Sequence, residues 1–145
     1  MFRFRLQQVL DLREKQEREI ASQLANALGA ERAAQATLED LRAVRTAGAE
    51  GAVAGPPRSV GELTNLAFIL AQMDGQIANA SDAVAAAGET VTQMKTALTA
   101  AFQDRRVLDR LRERQAESHR TAEGQIDQRA MDDIALTRYT QQGTQ

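Results

Sequence analysis

Residues 63–101 read LTNLAFILAQMDGQIANASDAVAAAGETVTQMKTALTAA, and the placement of apolar side chains in this stretch decides the fold. Leu63, Leu66, Leu70, Met73, Ile77, Ala80, Val84, Ala87, Val91, Met94, Leu98 and Ala101 follow one another in alternating steps of three and four. The mean step is about 3.5 residues, the repeat that holds one stripe of a helix against a partner helix. The stretch therefore predicts a long helix with one apolar seam and a second helix to cover it.

Upstream, a second stripe runs through Leu6, Leu10, Arg13, Glu17, Ile20, Leu24, Ala27, Glu31, Ala34, Leu38 and Leu41. Three charged members weaken it, but long charged side chains can lie along a thin interface with their heads in water. Between the stripes lies Gly48-Ala49-Glu50-Gly51-Ala52-Val53-Ala54-Gly55-Pro56-Pro57. Glycine lowers helix propensity and proline removes a backbone donor, so this segment reads as the one breaker in the chain. Ser59-Val60-Gly61-Glu62 follows in capping-box form and predicts a helix start at Ser59.

The fold class expected is all-α: two long helices in an antiparallel coiled-coil hairpin, the second longer than the first. One domain covers residues 1–145, with helix one over about 3–47, a linker over 48–58, helix two over about 59–140 and a disordered tail at 141–145. A reversal at the linker would set Leu41 beside Leu63 and Leu6 beside Leu98, leaving the chain beyond residue 98 without an intramolecular partner. Gly75, Gly88 and Gly124 fall inside helix two as possible bends.

Composition agrees. Of 145 residues only 3% are aromatic, and Trp and Cys are absent, which excludes a disulfide framework and a thiolate metal site. The first ten residues carry Arg3 and Arg5 and lack a continuous apolar core, so no secretory signal is read. The longest apolar run, Leu66–Ala71, falls far short of the roughly 20 residues that span a bilayer. A cytoplasmic protein with no transmembrane segment is expected. The net charge of −2 offers no bulk attraction to nucleic acid. Charge is dense and mixed in sign at both ends, whereas Ser59–Gln103 holds only Lys95 against Glu62, Asp74, Asp82 and Glu89.

Catalytic and metal-binding readings find little support. His119 is the single histidine and reads as a solvated helical side chain. Asp132 and Asp133 are consecutive on a helix and point about 100° apart, so they do not converge on a metal or a proton. Arg105, Arg106, Arg110, Arg112 and Arg114 are interleaved with Asp104, Asp109 and Glu113 and have no aromatic residue for stacking on bases, which favours an acidic protein surface over nucleic acid. No enzyme activity and no cofactor are expected.

Two segments carry a family resemblance. Phe2-Arg3-Phe4-Arg5-Leu6-Gln7-Gln8-Val9-Leu10-Asp11-Leu12-Arg13-Glu14-Lys15-Gln16-Glu17 shows alternating apolar residues, then Leu-x-x-Val-Leu, then Arg-x-x-x-Glu. Near the other end stand Arg105-Arg106-Val107-Leu108-Asp109-Arg110-Leu111 and Asp127-Gln128-Arg129-Ala130-Met131-Asp132-Asp133-Ile134-Ala135. Together they resemble the FliJ family, the coiled-coil stalk components of the bacterial flagellar type III export apparatus.

That resemblance implies a non-enzymatic stalk or adaptor with three partners: the export ATPase (FliI-like), the export gate protein (FlhA-like) and export chaperones. It implies a monomer when free, located in the cytoplasm and associated peripherally with the inner membrane at the flagellar base. It places ATPase binding on the open end, at Leu6, Leu10, Arg106, Leu108, Leu111, Asp132 and Ile134. It places gate binding near the tip, at Leu38, Val44, Leu66, Phe68, Ile69 and Met73. In this chain helix one lacks the aromatic residues that some relatives carry near the tip. An injectisome stalk protein and a homodimeric coiled-coil scaffold or holdase are the alternative readings.

Overall fold

The computed structural model describes residues 1–143 and is helical, with no strand among them. Two helices account for most of the chain: α1, Gln7–Ala54, and α2, Val60–Gln142. They pack against each other as a hairpin, the fold class that the two apolar stripes predict. The expected tail at 141–145 begins within α2, and its last two positions, 144 and 145, lie outside the described residues.

Local chemistry explains the helix ends. Met1–Phe4 is not helical, and the first turn closes when the Gln7 amide donates to the Phe4 carbonyl at 3.1 Å. Helix α1 begins four residues later than the predicted start. It also runs on to Ala54, through Gly48 and Gly51, where the sequence predicts linker. Two glycines each weaken a helix by about 1 kcal/mol, but Ala49 and Ala52 continue the half-buried seam there. The helix stops only before Pro56-Pro57, because a proline pushes the residue preceding it out of the α region. At the start of α2 the Ser59 hydroxyl accepts the Glu62 amide at 3.2 Å and the Ser59 carbonyl accepts the Leu63 amide at 3.0 Å. This is the predicted cap.

The chain divides into two compact units, one of Met1–Glu17 with Ala101–Gln145 and the other of Arg18–Ala100. In the second unit Arg45 pairs with Asp74, Gly48 lies against Leu70, and Gly88 stands across from Glu31. In the first, Arg13 pairs with Asp104, Glu17 with Arg105, and the rings of Phe2 and His119 meet. These pairings correct the register expected from the sequence. Leu41 does not face Leu63, and Leu6 does not face Leu98. The alignment is displaced by about two heptads, because α1 continues through the glycine-rich stretch and the reversal falls at Gly55–Ser59 instead of near the middle of the predicted linker.

The seam is thin. Among the described residues only Phe4, Leu10, Leu38 and Val91 are buried, and most other seam positions are half-covered, as expected when two helices share one stripe. Threonines of α2 tolerate their helical positions on the solvent side by bonding back one turn. The hydroxyls of Thr64, Thr90, Thr92, Thr96 and Thr99 each donate to the carbonyl four residues earlier, at 2.9–3.1 Å.

Candidate partner-binding surfaces

In the first unit the paired region ends near His119. Half-covered positions of α2 recur at Ala101, Arg105, Leu108, Leu111, Ala116 and His119, whereas every described residue from Arg120 to Gly143 is exposed. The uncovered stretch is not amphipathic. Taking roughly 100° per residue, Ile126, Ile134, Met131, Tyr139 and Leu136 fall at roughly 0°, 80°, 140°, 220° and 280° around the axis. All five are at least half exposed. Large apolar residues thus stand on all sides of this stretch, among charged ones of both signs.

The expected ATPase-contact residues separate into three groups. Leu10 is fully buried, a knob between α1 and α2, with no surface to offer a partner. Leu108 and Leu111 are half-covered in the same seam. Leu6 and Arg106 are at the surface of the same unit, and Asp132 and Ile134 lie on the uncovered stretch. The sequence reading left out Val9, Leu12, Phe102 and Val107, which are exposed apolar residues of this unit. The signal was present: Val9 and Leu12 fall off the α1 stripe and therefore could not be seam residues.

His119 is not the freely solvated side chain expected from sequence. It is half-covered, its ring lies edge-on to that of Phe2 with centroids 5.7 Å apart and planes at 61°, and Nδ1 is 3.5 Å from the Glu123 carboxylate. The reason is the register: α1 and its leading segment reach about two heptads further along α2 than the sequence pattern suggests.

A polar layer lies within this unit. The Arg105 guanidinium donates through Nε to Glu17 on α1 and through Nη1 to Asp109 at 2.6 Å, and its Cζ stands 5.2 Å from the centre of the Phe102 ring. Hydrogen bonding to Glu17 is the main reason that the Arg105 guanidinium is held charged above its ordinary range. Nearby, Arg13 and Asp104 approach to 3.6 Å with both side chains largely exposed.

In the second unit, the expected gate-contact residues also divide. Leu38 is buried, Leu66 and Met73 are half-covered, and Val44, Phe68 and Ile69 are exposed, together with Leu63, Val53 and Val60 on either side of the reversal. Arg45 and Asp74 form a two-pronged ion pair, which holds the Asp74 carboxyl below the usual carboxylate range. No helix among the described residues is long and apolar enough to cross a membrane, and no described cluster of His, Cys, Asp and Glu could hold a metal ion.

Two long helices that share one thin seam, with apolar residues left outside it, define a coiled-coil hairpin protein. The family model of the flagellar FliJ protein matches residues 1–144, and the chain belongs to the FliJ family. It is a structural coiled-coil component of the flagellar type III export apparatus, a family of export components and not of enzymes. No curated protein and no solved structure matches it.

Proposed function

We propose that this chain is the stalk of the export apparatus, and that Thr121–Gln142 is the segment that enters the ring of the export ATPase. The observation that carries this reading is the even distribution of Ile126, Met131, Ile134, Leu136 and Tyr139 around an uncovered helix. A groove partner needs one apolar face, whereas the wall of a central hole meets all of them. Glu123, Asp127, Asp132 and Asp133 alternate there with Arg129 and Arg138, so contacts of both signs accompany the apolar ones. Leu6 and Arg106 extend the contact onto the paired region, and Leu10, Leu108 and Leu111 act by holding that region together. The stalk catalyses nothing; it promotes ring assembly and couples nucleotide turnover to the gate.

The gate protein is assigned to the exposed residues Val44, Phe68 and Ile69, with Leu38, Leu66 and Met73 supporting them from the seam, and export chaperones bind elsewhere on the hairpin. The work is done at the cytoplasmic face of the inner membrane, at the flagellar base. A chain ending at Arg120 tests the main claim, because it removes the segment proposed to enter the ring and keeps the residues through which α1 and α2 meet. It is expected to stay a helical hairpin while failing to bind or stimulate the ATPase. Undiminished capture and stimulation by that shortened chain would refute the stalk assignment.

A further inference from the structure

We infer that the Arg105–Glu17 pair is the register lock of the hairpin, the feature that makes one alignment of α1 on α2 acceptable and the alignments one heptad away unacceptable. The need for such a lock follows from the periodicity. A seam of regularly spaced Leu, Ala, Val and Met looks the same after a slide of seven residues, and the apolar spacing alone is satisfied by an alignment two heptads from the observed one. Something other than apolar burial must choose.

A slide of one heptad in one direction sets Arg105 against the fully buried Leu10 and strips Glu17 of its α2 cation. Both charges are three-quarters covered, at 24% and 21% side-chain exposure, so mispairing leaves Glu17 partly desolvated without its α2 cation and leaves Arg105, against an apolar neighbour, with Asp109 of its own helix alone. This slide asks the reversal only to unwind the end of α1, where Gly51 offers little resistance and Gly55 already lies outside the helix, so the tip does not prevent it. The opposite slide would draw Pro56 and Pro57 into α1, where they cannot continue a helix. The proline pair thus closes one direction and Arg105 the other. The Arg13–Asp104 and Arg45–Asp74 pairs are too exposed to discriminate as strongly. The lock holds whichever partners bind the protein.

The chain has no cysteine, so Gln8→Cys and Glu113→Cys introduce two spin labels on exposed positions of the first unit without further changes. With Arg105 and Glu17 present, pulsed dipolar spectroscopy is expected to give one narrow distance. In Glu17→Leu/Arg105→Leu, helical content by circular dichroism should persist while a second, longer distance appears, from an axial offset of about 10.5 Å for seven residues at 1.5 Å each. Arg105→Lys, which keeps the charge, should retain the single distance. If the double-leucine chain keeps one unshifted narrow distance, the lock does not exist. Should that chain lose its helices, Glu17→Gln decides: a new longer population supports the lock, and an unchanged distribution overturns it.

Discussion

Arg45 of α1 grips Asp74 of α2 with two prongs, Nε to Oδ1 at 2.8 Å and Nη2 to Oδ2 at 3.4 Å, across 29 residues of sequence. The pair marks which turns of the two helices are neighbours in its unit. It lies at the surface, where solvent weakens it.

The Asp74 carboxyl is lowered, first by the Arg45 hydrogen bonds. A group whose folded value lies below its unfolded value of about 3.9 stabilises the fold above that value and ceases to do so as pH falls through the folded one. Asp74→Asn should therefore lower the melting temperature slightly at pH 7 and lower it less at about pH 2.5. Thermal melts of both chains at the two pH values check this; an equal difference at both would exclude the ion pair as its source.

Leu10 is the one fully buried large side chain among the described residues, in a seam with few buried residues. Leu10→Ala should destabilise the hairpin by about 2–3 kcal/mol, read from urea titrations followed by circular dichroism. Val9→Ala, an exposed neighbour, should change stability by less than about 0.5 kcal/mol.

Gly29 and Gly75 lie inside helices with open space where a Cβ would stand, and no glycine has a positive φ. Gly29→Ala and Gly75→Ala should each stabilise by about 0.5–1 kcal/mol. At Gly88 the added methyl would meet Glu31 Oε1 at 3.5 Å, an ordinary contact, so a gain in the same direction is expected from Gly88→Ala. A lower melting temperature in any of the three would show that the glycine is needed for more than helix propensity.

Phe2 closes over His119. Because the chain has one histidine, its ring protons are assigned without ambiguity. Phe2→Ala should move those signals to their random-coil positions and leave α1 and α2 intact. Unmoved signals would mean that Met1–Leu6 does not hold the observed position in solution.

How much of this was legible beforehand depends on the element. The half-buried positions of α1 follow the predicted stripe from Leu10 through Arg13, Glu17, Ile20, Leu24, Ala27, Glu31, Ala34 and Leu38 to Leu41, and those of α2 follow theirs from Leu66 to Ala101. The three charged members of the α1 stripe, which weakened it on paper, are met across the seam: Arg13 by Asp104, Glu17 by Arg105, and Glu31 by the space at Gly88. The surfaces were harder to read. Leu10, expected as a contact for a partner, is inside, and Val9 and Leu12, passed over, are outside. Apolar character alone does not say which side of a thin interface a residue takes.

The amino-acid sequence by itself determined that this chain forms two long helices, which stripe of each is covered, and where the second one starts, because spacing, capping and the proline pair act within a few residues. The tertiary structure decided the alignment of those helices, and with it where pairing ends and the bare segment begins. A heptad seam is nearly indifferent to sliding by its own repeat. The choice rests on how far α1 continues through its glycines and on which charges meet across the interface, and neither is settled until both helices are in place.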